Sequence, residues 1–126
     1  MRPATRVAAA ISDSSVVTKA TIRAADKLQV SNKSLARVLG LSEATVSRMK
    51  RGKRPLEKGE KPFELALLFI RLYRSLDAIV GGDDSVARSW LINPNSVLDG
   101  KPVELIQSVH GLNNVIQYLD SRRAVV

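Results

Sequence analysis

The sequence of 126 residues contains no cysteine. Disulfides, thiolate zinc sites and cysteine nucleophiles are therefore excluded, and the absence fits a reducing cytosol. Aromatic residues are scarce, at 4% against 44% hydrophobic residues overall. A core must then be built mostly from Leu, Val, Ile and Ala, which pack well between helices. The longest apolar run, Leu65 to Ile70, is six residues long, where a membrane span needs roughly 20. Behind Arg2 and Arg6, the stretch Val7 to Ile11 offers five apolar residues, short of the roughly 7–15 of a signal-peptide core. Residues 1–12 are read instead as a flexible tail. The one histidine, His110, has no second ligand or nucleophile beside it, so neither a metal site nor a catalytic role is expected. Asp83 and Asp84 follow Gly81-Gly82 and suit helix capping better than acid–base chemistry. Strand alternation, repeats and low-complexity segments are all missing. The expectation is a cytoplasmic binding protein with no cofactor and no small-molecule substrate, not an enzyme.

What is present is charge of one sign in one place. Residues 1–62 hold 14 Lys/Arg and 5 Asp/Glu, a net of +9, whereas residues 63–126 hold 6 and 7, a net of −1. A basic half of this size points to a polyanion, nucleic acid before an acidic membrane.

Apolar spacing divides the chain into helices. Asp13, Ser14 or Ser15 is a candidate cap for a helix carrying Val16, Val17, Ala20, Ala24 and Leu28 on one face. Ser31 or Asn32 caps the next, and Gly40 stops it. Ser42 caps a third, which reaches Gly52. A charged loop with Pro55 and Gly59 follows. Phe63 to Val80 is the strongest helical pattern, with Phe63, Ala66, Leu67, Ile70, Tyr73, Leu76 and Val80 as its stripe. Leu65, Leu68, Phe69, Leu72 and Ile79 widen that stripe, so the helix is expected to be buried on several sides, by its own chain or by a dimer partner. Asp83 or Asp84 opens a helix ending near Ile92, Asn93 to Asn95 form a turn, and Lys101 to Ser108 reads as a short helix broken by Gly111. Leu112, Val115, Ile116 and Leu119 mark a last amphipathic helix. Trp90 is core or interface.

Asn32 to Arg51 carries the requirements of a helix-turn-helix together. Ala36 is small where two helices cross, Gly40 permits positive φ in the turn, and Val46 returns an apolar side chain to the first helix. Leu35, Leu39, Leu41 and Met49 complete the inner face. Outward, Ser42, Glu43, Ala44, Thr45, Ser47 and Arg48 are placed for base edges: Thr45 for a thymine methyl or a hydrogen bond, Arg48 for guanine. Lys50, Arg51, Lys53 and Arg54 suit phosphates, as do Lys33 and Ser34 at a helix N-terminus. A lone module binds weakly, so a homodimer reading half-sites about one DNA turn apart is expected.

In order along the chain come the helix-turn-helix, Arg51-Gly-Lys-Arg-Pro-Leu56, the long apolar helix, Trp90-Leu-Ile-Asn-Pro-Asn95, Gly100-Lys-Pro102 with Glu104-Leu105, and Gly111 with Val115 and Leu119. This arrangement resembles the Xre/MbcA/ParS family of antitoxins over nearly the whole chain. The resemblance implies an all-α fold in four parts: the tail (1–12), an Xre-like helix-turn-helix domain (13–62), a long connecting or dimerisation helix (63–82) and a small helical toxin-binding domain (83–126). It implies a type II toxin–antitoxin pair with a RES-domain toxin that consumes NAD, by degrading it or by transferring ADP-ribose, and repression of the protein's own promoter. Toxin contacts then fall on Trp90, Asn93, Pro94, Asn95, Tyr118, Arg122, Arg123, Val125 and Val126. In this family the C-terminus can reach the toxin's cleft, where an arginine would meet polar or acidic groups; composition alone favours a frayed end for Arg122 to Val126. Some members lack the basic helix-turn-helix face. This sequence keeps it, so DNA binding, with nucleoid association when bound, is expected. The competing reading is a stand-alone regulator whose C-terminal half only dimerises or senses a ligand.

Overall fold

A computed structural model describes the backbone of residues 3–125 and the side chains of residues 13–123. Within those bounds the chain is all-α: α1 (Pro3–Leu28), α2 (Asn32–Leu39), α3 (Glu43–Lys50), α4 (Lys61–Ile79), α5 (Asp84–Ile92), α6 (Pro102–Leu105) and α7 (Val109–Val125). One isolated bridge, between Asn95 and Gly100, is the only strand-like pairing among the described residues.

The first helix departs from expectation. It starts at Pro3, not at a cap near Asp13, so the backbone of most of the expected tail is helical. Proline at a first helical position gives up no hydrogen bond. Ala8, Ala9 and Ala10 then favour helix by propensity, without needing an apolar face. Asp13 and Ser14 serve a different purpose from capping. The Ser14 hydroxyl donates to the Leu56 carbonyl, and the Leu56 amide donates to the Thr18 hydroxyl at 2.9 Å. Asp13 pairs with Lys58 at 3.2 Å. The loop after α3 is thereby fastened to α1.

The helix-turn-helix follows local rules. Ser31 caps α2 by accepting from the Ser34 amide at 3.1 Å, and Ser42 caps α3 by accepting from the Thr45 amide at 3.1 Å. Gly40 sits at φ +72°, and the Leu41 amide returns to the Ala36 carbonyl at 2.9 Å, closing α2 with a left-handed residue. Leu35, Ala36, Leu39, Val46 and Met49 are buried between the two helices, as the pattern predicts.

Helix α4 is the centre of the molecule, packed against α1, α2, α5 and α7. Its inward stripe differs from the expected one: Leu65, Ala66, Phe69, Leu72 and Leu76 are buried, whereas Leu67 is 46% and Ile79 39% exposed. A helix apolar on most of its surface offers several stripes, and packing on four neighbours chooses among them. Gly111 is a second departure. It does not end a helix but lies in the first turn of α7, buried. A Cβ there would stand 1.9 Å from the Leu105 carbonyl oxygen. The residue is glycine because two backbones touch.

Candidate functional sites on the two ends of the chain

The first surface is the outward side of α3. Glu43, Ala44, Arg48, Arg51 and Lys53 are exposed there, with Ser42 at the cap and Ser47 half-buried. Lys33 is exposed on the first turn of α2, beside four backbone amides with no intrahelical partner. Thr45 departs from expectation, because it is only 7% exposed. Its hydroxyl shares a 2.8 Å hydrogen bond with Ser42 Oγ and accepts from Arg48 Nη2 at 3.2 Å. Thr45 thus orients Arg48 and has little surface left for a base. Lys50 is turned off this face toward α1, where its ammonium lies 3.6 Å from Asp26. Three exposed cations of α1, Lys19, Arg23 and Lys27, line a groove beside Lys50, and the sequence reading did not single them out because they lie before the motif.

The second surface surrounds Trp90. This residue is half-buried, standing at the edge of the fold. Its ring stacks on Tyr118 of α7 with centroids 6.2 Å apart and planes 15° from parallel. The Arg122 guanidinium lies 5.7 Å from the Tyr118 centroid, within cation–π range. A shallow depression of about 450 Å³ opens beside the indole, with Val86, Ser89, Pro94 and Asn95 in its wall. Asn93 is tied to its own helix, donating to the Ser89 carbonyl at 2.7 Å. Asn95 shapes the following turn, its side-chain oxygen accepting from the Val97 and Leu98 amides at 3.0 Å each. Val86, in that wall, is 48% exposed, and Ile92 and Val97, close by in sequence, are 59% and 72% exposed. Apolar side chains left in water around a stacked aromatic pair make a contact surface.

The C-terminal helix is anchored from below. Ser75, fully buried on α4, donates to Asp120 at 2.8 Å and accepts from Arg123 at 3.1 Å. Arg71 closes the cluster with an ion pair to Asp120. The hydrogen bond from Ser75 holds the Asp120 carboxyl below its ordinary range, helped by the hydrogen bond and charge of Arg71 and by the charge of Arg123. Helix α7 continues through Arg122 and Arg123 to Val125, so the backbone of the expected tail is helical as far as that residue. The side chains of Ala124 and Val125 and all of Val126 lie outside the described residues.

Hydrogen bonds near the surface tie the two halves together. Gln107, just after α6, accepts from Arg37 at 3.4 Å and donates to Ser34 at 3.4 Å, both on α2. Arg88 of α5 donates to the Lys27 carbonyl at the end of α1, at 2.9 Å.

Comparison with known families divides the chain into two parts. Residues 7–71 match the family described as the antitoxin Xre-like helix-turn-helix domain. Residues 75–124 match the antitoxin Xre/MbcA/ParS C-terminal toxin-binding domain. The gap between the two matches falls inside α4. No curated protein matches the chain. Among the described residues, no helix is long and apolar enough to cross a membrane.

Proposed function

The chain belongs to the Xre/MbcA/ParS family of antitoxins, with a helix-turn-helix domain and a toxin-binding domain in one fold, and from that premise we propose that it neutralises a RES-domain toxin while repressing its own promoter. The observation that carries the reading is the separation of two exposed surfaces. The basic side of α3 is free for DNA while the Trp90–Tyr118–Arg122 stack is free for protein. One molecule has room for both partners.

In this reading α3 enters the major groove and Arg48, steered by Thr45, reads a base edge. Glu43, Ala44 and Ser47 flank it, while Lys33, Arg51 and Lys53 hold phosphates. A homodimer brings two such helices to half-sites about one turn of DNA apart. On the other surface Trp90 is the anchor, Asn93 to Asn95 form the rim, and Arg122 projects from a helix that aims the C-terminus at the toxin. The toxin class implied by the resemblance consumes NAD, and an arginine at its cleft competes for the site of an anionic cofactor.

The test is co-production of the protein with a RES-domain toxin. Wild-type protein should restore growth and stop NAD loss. Removal of residues 124–126 should weaken neutralisation while DNA binding persists. The cut belongs after Arg123 because Asp120 is part of the anchor on α4. Repression without neutralisation by the intact chain would instead identify a stand-alone regulator.

A further inference from the structure

A groove of about 740 Å³ runs between α1 and the C-terminal end of α3. Lys19, Arg23 and Lys27 of α1 line one wall, and Lys50 and Arg54 line the other. Asp26 is the only acidic residue among its lining residues. Lys19, Arg23 and Lys27 follow each other at four-residue intervals and are all exposed, so they form a single stripe on the helix. The stripe covers about 12 Å of helix axis. Over that length one strand of duplex DNA carries about three to four phosphates. None of the three is in an ion pair among the described residues. Lys50, by contrast, is held against Asp26 at 3.6 Å.

We infer that this groove is a second track for the DNA backbone, outside the helix-turn-helix motif, in which α1 holds the strand that passes the C-terminal end of the recognition helix. The inference rests on the DNA-binding reading of α3. Its physical basis is position and charge together. When the N-terminal part of α3 points at base edges, its last turn and the following loop stand beside the phosphates. Lys50, Gly52 and Arg54 belong to that segment, and α1 forms the facing wall. Fastening of the loop to α1 by Ser14 and Thr18 keeps the two walls in register. A phosphate arriving in the groove takes Lys50 from Asp26, so Asp26 works against binding. It adds a negative charge to the track and occupies a cation that DNA would otherwise use. None of this depends on base sequence, so the track sets affinity and leaves discrimination to α3.

The experiment uses the full chain, a labelled duplex from upstream of its own gene, and a scrambled duplex of equal composition, titrated over a range of salt. The triple variant Lys19→Ala, Arg23→Ala, Lys27→Ala should bind both duplexes at least tenfold more weakly near physiological salt. It should lower the slope of log affinity against log salt by about 2–3, at roughly 0.9 per phosphate contact. The preference for the upstream duplex should stay as in wild type. Asp26→Asn should do the reverse, tightening both duplexes by a similar factor of several-fold. That gain cannot come from misfolding. An unchanged salt slope in the triple variant, or equal or weaker binding by Asp26→Asn, overturns the proposal while leaving α3 in place. Failure of wild-type protein to bind either duplex overturns the DNA reading and the track with it.

Discussion

The helix-turn-helix and the C-terminal half use glycine and hydrogen bonds in opposite ways. Around α3 the organising contacts are short in sequence: Ser42 to Thr45, Thr45 to Arg48, Gly40 closing α2 on Ala36. Around α7 they cross the chain: Trp90 to Tyr118 and Ser75 to Asp120. A DNA-reading face must repeat one geometry, and local caps and turns supply it cheaply. A surface shaped for one protein partner needs irregular relief, which distant elements supply by packing. The charge division follows the same line, +9 before residue 63 and −1 after it. Long-range attraction serves a polyanion, whereas the Trp90 surface relies on contact area.

The two glycines give the sharpest way to break this comparison. Gly111→Ala should cost about 3 kcal/mol, at the high end for overpacking, because the new Cβ meets the Leu105 carbonyl oxygen at 1.9 Å. Gly40→Ala should cost about 1–2 kcal/mol, the penalty of a left-handed conformation alone. Its nearest obstacle, Leu65 Cδ1, is 3.9 Å away. Asparagine tolerates that conformation, so Gly40→Asn should recover part of the loss and Gly111→Asn none. Urea unfolding measures all four. Equal costs at the two sites would mean that the steric and conformational roles have been wrongly separated.

Trp90→Ala comes next. As the central aromatic of its surface it should cost at least about 2 kcal/mol of toxin affinity, the scale of an interface hot spot. Binding to DNA should be unaffected, since Trp90 lies on α5 and not on the helix-turn-helix. Calorimetric titration against the toxin and a DNA titration form the pair of measurements. Loss of both activities would show that the two surfaces are not independent.

Arg48→Ala should relax discrimination at one base position by about 1–2 kcal/mol. Thr45→Val, which keeps shape and removes the hydroxyl that orients Arg48, should lose a smaller part of the same preference. Selection from randomised duplexes would read this as reduced information at the same position in both variants. Changes at two different positions would assign Thr45 its own base contact.

These variants also mark where sequence reasoning reached and where it stopped. The caps Ser31 and Ser42, the turn at Gly40 and the inner face Leu35, Ala36, Val46 and Met49 depend on neighbours within a few residues, so pattern and propensity were enough. The inward stripe of α4 was not legible. Leu67 and Leu72 look alike in sequence, and only the placement of α1 and α7 exposes one and buries the other. Gly111 looked like a helix breaker because a close approach of two backbones leaves no periodic trace. Thr45 looked like a base reader because its burial depends on how far α3 rotates against α2.

The smallest effect expected, and the one that separates the anchor of α7 from the surface it supports, is a pH dependence. Asp120 is held below the ordinary carboxylate range first by the hydrogen bond from Ser75, then by the hydrogen bond and charge of Arg71 and the charge of Arg123, against the opposing effect of burial. Its proton affinity is therefore lower in the folded chain than in the unfolded one. A carboxylate so shifted contributes stability above its unfolded pKa, about pH 4. The contribution fades as pH falls through the lower folded value. Asp120→Asn should accordingly melt below wild type at neutral pH, and the gap should narrow from about pH 4 downward. Ser75→Ala removes the leading cause of the shift, so it should raise the pH at which Asp120 protonates. Both side chains of the Arg71 pair reach solvent, at 59% and 33% relative exposure, so water screening keeps the effect small. Thermal melts between pH 2 and 7 measure it, and a gap constant across that range would mean that Asp120 packs α7 without acting through its charge.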